Sequence, residues 1–365
     1  MRSSEKRTTS RPPHYRTVRF NRDILADRML EHFTKKQAKL WNDLSPAHHG
    51  TVREEFITII QNLEESLATS SPAFLVDHAR WLRTRAQAES YPPGFAPAFF
   101  QTFKETIEDY IPPDFRAVAL DYAKQAIAAL KSPMPEAGEP LEIQLSAPAQ
   151  AFLDLLLAGE VGKARTVIDR QLAAGTSFRG IYQDIFSPVL TETGRRWQMN
   201  SITIAQEHFI TSVILRIMEQ IHDHIISTGR LTPRKKTVVT ACVGEELHDV
   251  GIRMVADFFD IDGWTVYYTG ANTPVRSIIS AVEERNADVL ALSITMPSYL
   301  SEVEYLIRSL RAGSTTVPVK IIVGGYPFTL VTDLWQQVGA DAVAGHPQDA
   351  VELANRLTKA KKEKT

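Results

Sequence analysis

Apolar residues in the first third of the chain recur at every third and fourth position, the spacing of one helix face. In "REEFITIIQNLEESL" they are Phe56, Ile59, Ile60, Leu63 and Leu67. "SSPAFLVDHARWLRTRAQ" opens with Ser-Ser-Pro, a capping signal with proline in the first turn. Phe99, Phe103, Ile107 and Tyr110 share a face before Pro112-Pro113 stops the helix, and "DFRAVALDYAKQAIAAL" supplies another. These patterns predict an all-helical module of four to six helices over residues 21–131. The Pro-, Gly- and Glu-rich stretch 132–148 reads as a linker. Four further helical stretches over 149–226 are joined by short connections, with Gly159 and Gly175 suited to helix C-termini, and predict a four-helix bundle.

From residue 235 to 360 the period changes. The runs "TVVTACV", "WTVYYTG", "DVLALSI", "VKIIVGG" and "ADAVAG" alternate with helical patterns that begin near Asp249, Pro274, Tyr299 and Thr329. Five strand–helix units of this length predict a doubly wound, five-stranded parallel sheet of the flavodoxin-like, Rossmann-like kind. The fold class is therefore α plus α/β: a helical module, a four-helix bundle and a parallel sheet. Ligands of such sheets bind beyond the carboxyl ends of the strands, so the residues there are the candidates for chemistry.

Composition narrows the function. The 365 residues are 44% hydrophobic and 23% charged with a net charge of -2, an ordinary globular balance that disfavours general nucleic-acid binding. No apolar run is long enough for a membrane span, so no membrane partner is expected. The single cysteine, Cys242, excludes an intrachain disulfide, and with no secretory h-region the expected location is cytoplasmic. The stretch 1–20 reads as a flexible basic leader and "KAKKEKT" as a charged tail. No nucleophile elbow, P-loop or cyclase signature is present, so no catalytic residue is assigned and no intrinsic turnover is expected.

Three loops at the carboxyl edge carry unusual residues. After the first strand run come Glu246, His248, Asp249 and Gly251; Ser293 and Thr295 end the third; Gly324 and Gly325 end the fourth. Singly, each has an ordinary reading as a cap, a strand-end hydroxyl or a tight turn. Together they resemble the E/DxHxxG, SxL/T and GG signature of cobalamin-binding domains, such as those of methionine synthase, the methylmalonyl mutases and corrinoid proteins. The resemblance implies that His248 is the lower axial ligand of cobalt, with Glu246 or Asp249 fixing its tautomer. It implies a nucleotide tail threading past Ser293 and Thr295, with Gly324 and Gly325 admitting close backbone approach.

Within the bundle region, Trp197 precedes the pair Glu207-His208 by ten residues. This arrangement before a cobalamin fold looks like the CarH-type light-sensing cobalamin regulators, in which such residues cap the adenosyl group. That resemblance spans roughly residues 147–359 and implies adenosylcobalamin, a homo-oligomer (a dimer in the simplest case), and light-driven loss of adenosyl. Gln198 stands where those regulators often carry a second cobalt-binding histidine, and no MerR-like DNA-binding domain precedes the bundle. The output would therefore pass to a separate signalling protein. The whole arrangement is also similar to photocobilins, which implies a noncovalent bilin such as biliverdin near Trp81, Arg83, Arg85 and Tyr91. Two other readings stand beside the light sensor: a methyl-carrying corrinoid protein of a methyltransferase system, and a degenerate signalling domain without cofactor.

Overall fold

The computed structural model describes residues 22–131, 143–228, 232–313 and 319–359. The basic leader, most of the 132–148 linker and the charged tail beyond Lys359 lie outside the described residues.

The N-terminal module has six helices: α1 (Arg22–Lys36), α2 (Ala38–Asp43), α3 (Pro46–Ala68), α4 (Ala73–Ala88), α5 (Phe95–Tyr110) and α6 (Pro113–Lys131). Helix α3 starts where the Ser45 hydroxyl accepts the His48 N–H at 3.2 Å, with Pro46 in the first turn. The apolar faces converge on an aromatic centre in which Phe56 and Phe99 stack at 4.1 Å and Phe33 meets Phe95 edge-on. Each such fully buried ring stabilises the fold by roughly 1.5–3 kcal/mol.

The bundle consists of α7 (Ala147–Leu157), α8 (Val161–Ala173), α9 and α10 (Ile204–Thr228). Gly159 and Gly175 end α7 and α8 with φ of +73° and +91°, the left-handed geometry that glycine adopts without steric cost. Helix α9 is continuous from Phe178–Gly180 through Ile181–Phe186 into Ser187–Gln198, and its middle segment is a π-helix. The sequence pattern predicts one regular helix here, and Pro188 explains the difference. Proline offers no N–H to the Asp184 carbonyl one turn back, so the preceding residues widen. That carbonyl instead lies 3.5 Å from the Ser146 hydroxyl.

The C-terminal region forms a five-stranded parallel sheet in the order β2-β1-β3-β4-β5. The strands are β1 (Thr237–Cys242), β2 (Thr265–Tyr268), β3 (Val289–Ser293), β4 (Lys320–Gly324) and β5 (Ala342–Ala344). Helices α11 (Val250–Ile261), α12 (Val275–Glu284), α13 (Leu300–Ala312), α14 (Pro327–Leu330), α15 (Leu334–Gln337) and α16 (Pro347–Leu357) connect them or follow β5. Alternation along the strands separates two cores. Val238, Val289, Ala291 and Ile322 face α11, α16 and the bundle, whose buried residues join the same cluster. Val239, Leu290, Leu292 and Ile321 face the other way, onto α12 and α13. Register aligns Cys242 with Ser293 and Ser293 with Gly324, so the ends of β1, β3 and β4 meet where the strand order reverses.

Candidate functional site

Glu246 and His248 lie in the loop from β1 to α11. The Glu246 carboxylate is fully buried, while 60% of the His248 side chain is exposed. One carboxylate oxygen accepts the His248 backbone N–H at 3.0 Å and stands 2.5 Å from His248 Nδ1. The other accepts the backbone N–H groups of Thr295 at 2.7 Å and Met296 at 3.0 Å. Burial alone would raise the Glu246 pKa, but the bonds from the His248 ring and from the Met296, His248 and Thr295 N–H groups override it, and the pKa falls to about 2. The same ring bond raises the pKa of His248. A permanently charged carboxylate fixes the Nδ1–H tautomer and leaves the Nε2 lone pair outward, the arrangement by which an imidazole serves a metal.

Asp249, the alternative partner for the histidine, turns elsewhere and accepts the Tyr268 hydroxyl at 2.8 Å. Thr295 acts through its backbone N–H, and Met296, which no side-chain motif flags, does the same. Residue types report side-chain chemistry, so these two donors carried no signal in the sequence.

Beside this pair a cavity of about 180 Å³ opens between the sheet and helices α11 and α16. Small residues make the space. Ser293, Gly324 and Ala344 stand side by side across three strands, and Gly251 faces them from α11. A Cβ at Gly251 would meet nothing closer than Ser293 Oγ at 4.0 Å, so a side chain there would project into the slot. Gly325 is dictated by backbone instead: its φ is +101°, and a Cβ would fall 1.9 Å from the Ile294 carbonyl oxygen. Ser187, at the start of the regular part of α9, lines the slot from the bundle side. The donor set and the slot fit a corrinoid: a tautomer-fixed imidazole for the metal and a narrow channel for a nucleotide tail.

Trp197, Glu207 and His208 sit at the end of α9 and the start of α10. The Glu207 charge adds to the rise in the His248 pKa, a smaller contribution than that of Glu246. Glu207 is engaged with its neighbours, pairing with His208 Nδ1 at 2.7 Å and accepting the Thr211 hydroxyl at 2.9 Å. Trp197 is 43% exposed.

The residues expected to hold a bilin are committed to the module's own interior. Arg83 donates to the carbonyls of Ala129 and Leu130. Arg85 pairs with Glu55 and Glu89 and lies over the Trp81 ring at 5.2 Å. Tyr91 is buried, stacks on His48 at 3.8 Å and points its hydroxyl to Thr51 at 3.4 Å. The bilin expectation is therefore corrected: both guanidinium groups already have internal partners and are not held ready for propionates.

Two family matches agree with this geometry. Residues 236–354 match the B12 binding domain, and residues 148–222 match a second family also described as B12 binding domain. B12-binding domains are present, and the chain is a corrinoid binder. Among relatives, the dimethylamine corrinoid protein 3 of Methanosarcina mazei is 25% identical over 169 residues, covering 46% of this chain and 99% of that protein. The dimethylamine corrinoid protein 2 of Methanosarcina acetivorans is 26% identical over 201 residues, covering 55% of this chain and 85% of that protein. The structure of the Methanosarcina barkeri monomethylamine corrinoid protein shares the fold with a TM-score of 0.50 and 20% identity, covering 58% of this chain and 98% of that one. These relatives overturn the likeness to light-sensing regulators and photocobilins. The chain matches dimethylamine corrinoid proteins, and its Trp197, Glu207 and His208 do not mark it as a photoreceptor.

Proposed function

We propose that this chain is a corrinoid carrier of a methyltransferase system, holding its cofactor while separate methyltransferase proteins load and unload a methyl group. The observation that carries the reading is the Glu246–His248 pair, a buried carboxylate locking an exposed imidazole at the strand-order reversal. The names of the matched relatives, dimethylamine corrinoid proteins, support the choice of methyl transfer. The bound corrinoid would supply a cobalt atom able to accept and release a methyl group.

The chain's own residues would do the rest. His248 would ligate the metal through Nε2, and Glu246 would hold the ring in that tautomer. The slot under Ser293, Gly324 and Ala344 would take the nucleotide tail. Over the opposite side the bundle would exclude water with Trp197, while Leu247 and Met296 present apolar surface beside the histidine. A methyl group needs no hydrogen bonds, so the mutual pairing of Glu207 and His208 costs this reading nothing. As a carrier, the chain would have no turnover without its partners, and the partner would be a methyltransferase protein rather than a signalling protein. Among the described residues no helix is long and apolar enough to cross a membrane.

The test is to mix the full chain with hydroxocobalamin, remove the excess, reduce the retained cofactor and offer methyl iodide as donor. One corrinoid retained per chain, with the alkylated spectrum following the protein through gel filtration, is the expected result. Colourless protein, or a retained corrinoid that cannot be alkylated, contradicts the reading.

A further inference from the structure

The family matches begin at residue 148, so they assign no role to residues 22–131. That module does not dock on a remote surface. Helix α3 packs against the turn Pro297–Tyr299, immediately after the Thr295 and Met296 N–H groups that hold Glu246. Helix α4 packs against α14, and its Phe74 is 1% exposed within the buried cluster of the sheet that includes Phe328 and Val331. Asp77, one turn along α4, accepts the Tyr326 hydroxyl at 2.8 Å. Tyr326 directly follows Gly325, whose backbone abuts the Ile294 carbonyl. Helix α4 also touches the Ser187–Gln198 part of α9. Two of the three loops that build the site are thus braced from outside by one module.

We propose that the N-terminal module positions the axial histidine: gripping the loops after β3 and β4 through α3, Phe74 and the Asp77–Tyr326 hydrogen bond, it sets how firmly His248 holds cobalt. The proposal rests on the reading of the chain as a corrinoid carrier. Its physical basis is a short series of contacts. The α3 face fixes the Pro297–Tyr299 turn; that turn fixes the direction of two N–H groups; those groups fix the Glu246 carboxylate; and the carboxylate fixes the ring. Asp77 and Tyr326 are positioning residues, since neither reaches the histidine itself. A protein that lifts the module would loosen the lower ligand without touching it, which would couple partner docking to the reactivity of the metal.

The test compares the full chain with Tyr326→Phe, Asp77→Asn and Phe74→Ala, each loaded with cob(II)alamin. Electron paramagnetic resonance reads the ratio of histidine-off to histidine-on cobalt, and spectroelectrochemistry reads the Co(II)/Co(I) midpoint. Loss of the Asp77–Tyr326 bond should raise the off-to-on ratio roughly three- to tenfold, the net scale of one ordinary solvent-exposed hydrogen bond. The midpoint should move to less negative values, and the Phe74→Ala shift should be the largest. Tyr326→Phe keeps the ring and its packing, so a shift there at unchanged melting temperature is one that loss of packing would not produce. If Phe74→Ala fails to fold, Tyr326→Phe and Asp77→Asn decide the matter. Wild-type spectra and midpoint in these variants, at wild-type cobalamin content, would overturn the proposal and leave the carrier reading standing. A wild-type chain that retains no cobalamin would overturn the carrier reading and this proposal with it.

Discussion

The N-terminal module and the sheet edge each bury a carboxylate against a basic group, and of this pair only the second is arranged as a site. In the N-terminal module, Glu55 faces Arg85, which also pairs with Glu89 and covers Trp81. At the sheet edge, Glu246 faces His248. Burial raises the pKa of Glu55 in spite of Arg85, and one of its oxygens is buried without a hydrogen-bond partner. Burial pushes Glu246 the same way, yet donors on both of its oxygens bring it down to about 2. The basic partners differ as well. Arg85 is held by acids on two elements, whereas the histidine ring is held through Nδ1, and Nε2 meets no hydrogen-bond partner among the described residues. A structural cluster consumes its groups; a binding site fixes a group firmly and leaves one atom of it over.

Substitutions on each side sharpen this contrast. The largest effect is expected from Gly325→Ala, whose Cβ would collide with the Ile294 carbonyl in a left-handed backbone. A loss of about 3 kcal/mol or more in urea-unfolding stability should accompany loss of corrinoid retention, since the same turn borders the slot. Unchanged stability would mean that the loop is not held as described. Next comes Arg85→Ala, which strands Glu55 and should cost about 2 kcal/mol, less than a fully buried pair because Arg85 is partly exposed. Below its melting temperature this variant should still retain one corrinoid per chain. If retention falls instead, the cluster is more than structural and the contrast collapses.

Glu246→Gln probes the other side. It keeps one acceptor oxygen, enough for the Thr295 and Met296 N–H groups, but turns an NH2 toward the histidine and removes the charge that pins the ring. Corrinoid affinity should fall about 10- to 100-fold. An equilibrium titration with unchanged affinity would show that the carboxylate does not set the tautomer.

The smallest effect belongs to a histidine of the consumed kind. His222 on α10 meets Asp260 of α11 at 2.9 Å, with Asp257, Asp223 and Arg253 also facing it. The Asp260 bond raises its pKa above the ordinary 6.5, against the desolvation that lowers it. A raised folded-state pKa means the stabilisation is full below about 6.5 and is lost as pH rises through the folded value. His222→Gln should therefore lower stability by about 1 kcal/mol at pH 5.5 and by less at pH 8.5. An equal loss at both pH values would contradict the assignment.

The sequence pattern carried the architecture well, because strand alternation and helix periodicity are local. All five strands and the helices expected near Asp249, Pro274 and Tyr299 stand near their expected places, and the histidine corner falls at the predicted sheet edge. Where one helix was expected from Thr329, the chain makes two short ones, Pro327–Leu330 and Leu334–Gln337. What it did not carry was pairing across space. Arg83, Arg85, Trp81 and Tyr91 read as ligand-binding because nothing local shows that Glu55, thirty residues earlier, reaches Arg85. The π-turn was hidden because Pro188 sits beside Ser187 at what looks like an ordinary helix start. The Thr295 and Met296 donors, and the docking of Phe74 into the sheet core, involve backbone groups and a plain apolar residue, which have no signature. The light-sensor reading failed for a related reason. A tryptophan and a Glu-His pair at the right spacing are compatible with more than one upper-face chemistry, and similarity over 169 to 201 residues pointed to dimethylamine corrinoid proteins instead.

The central claim is that His248, fixed by Glu246, is the lower ligand of a bound corrinoid. Electron paramagnetic resonance of the full chain loaded with cob(II)alamin tests it most directly, using cofactor labelled so that its own base is distinguishable from protein nitrogen. The wild type should show superhyperfine splitting from a protein nitrogen, and His248→Ala should lose it while keeping its fold. Protein-nitrogen splitting that persists in His248→Ala, or that is absent from the wild type, would contradict the account.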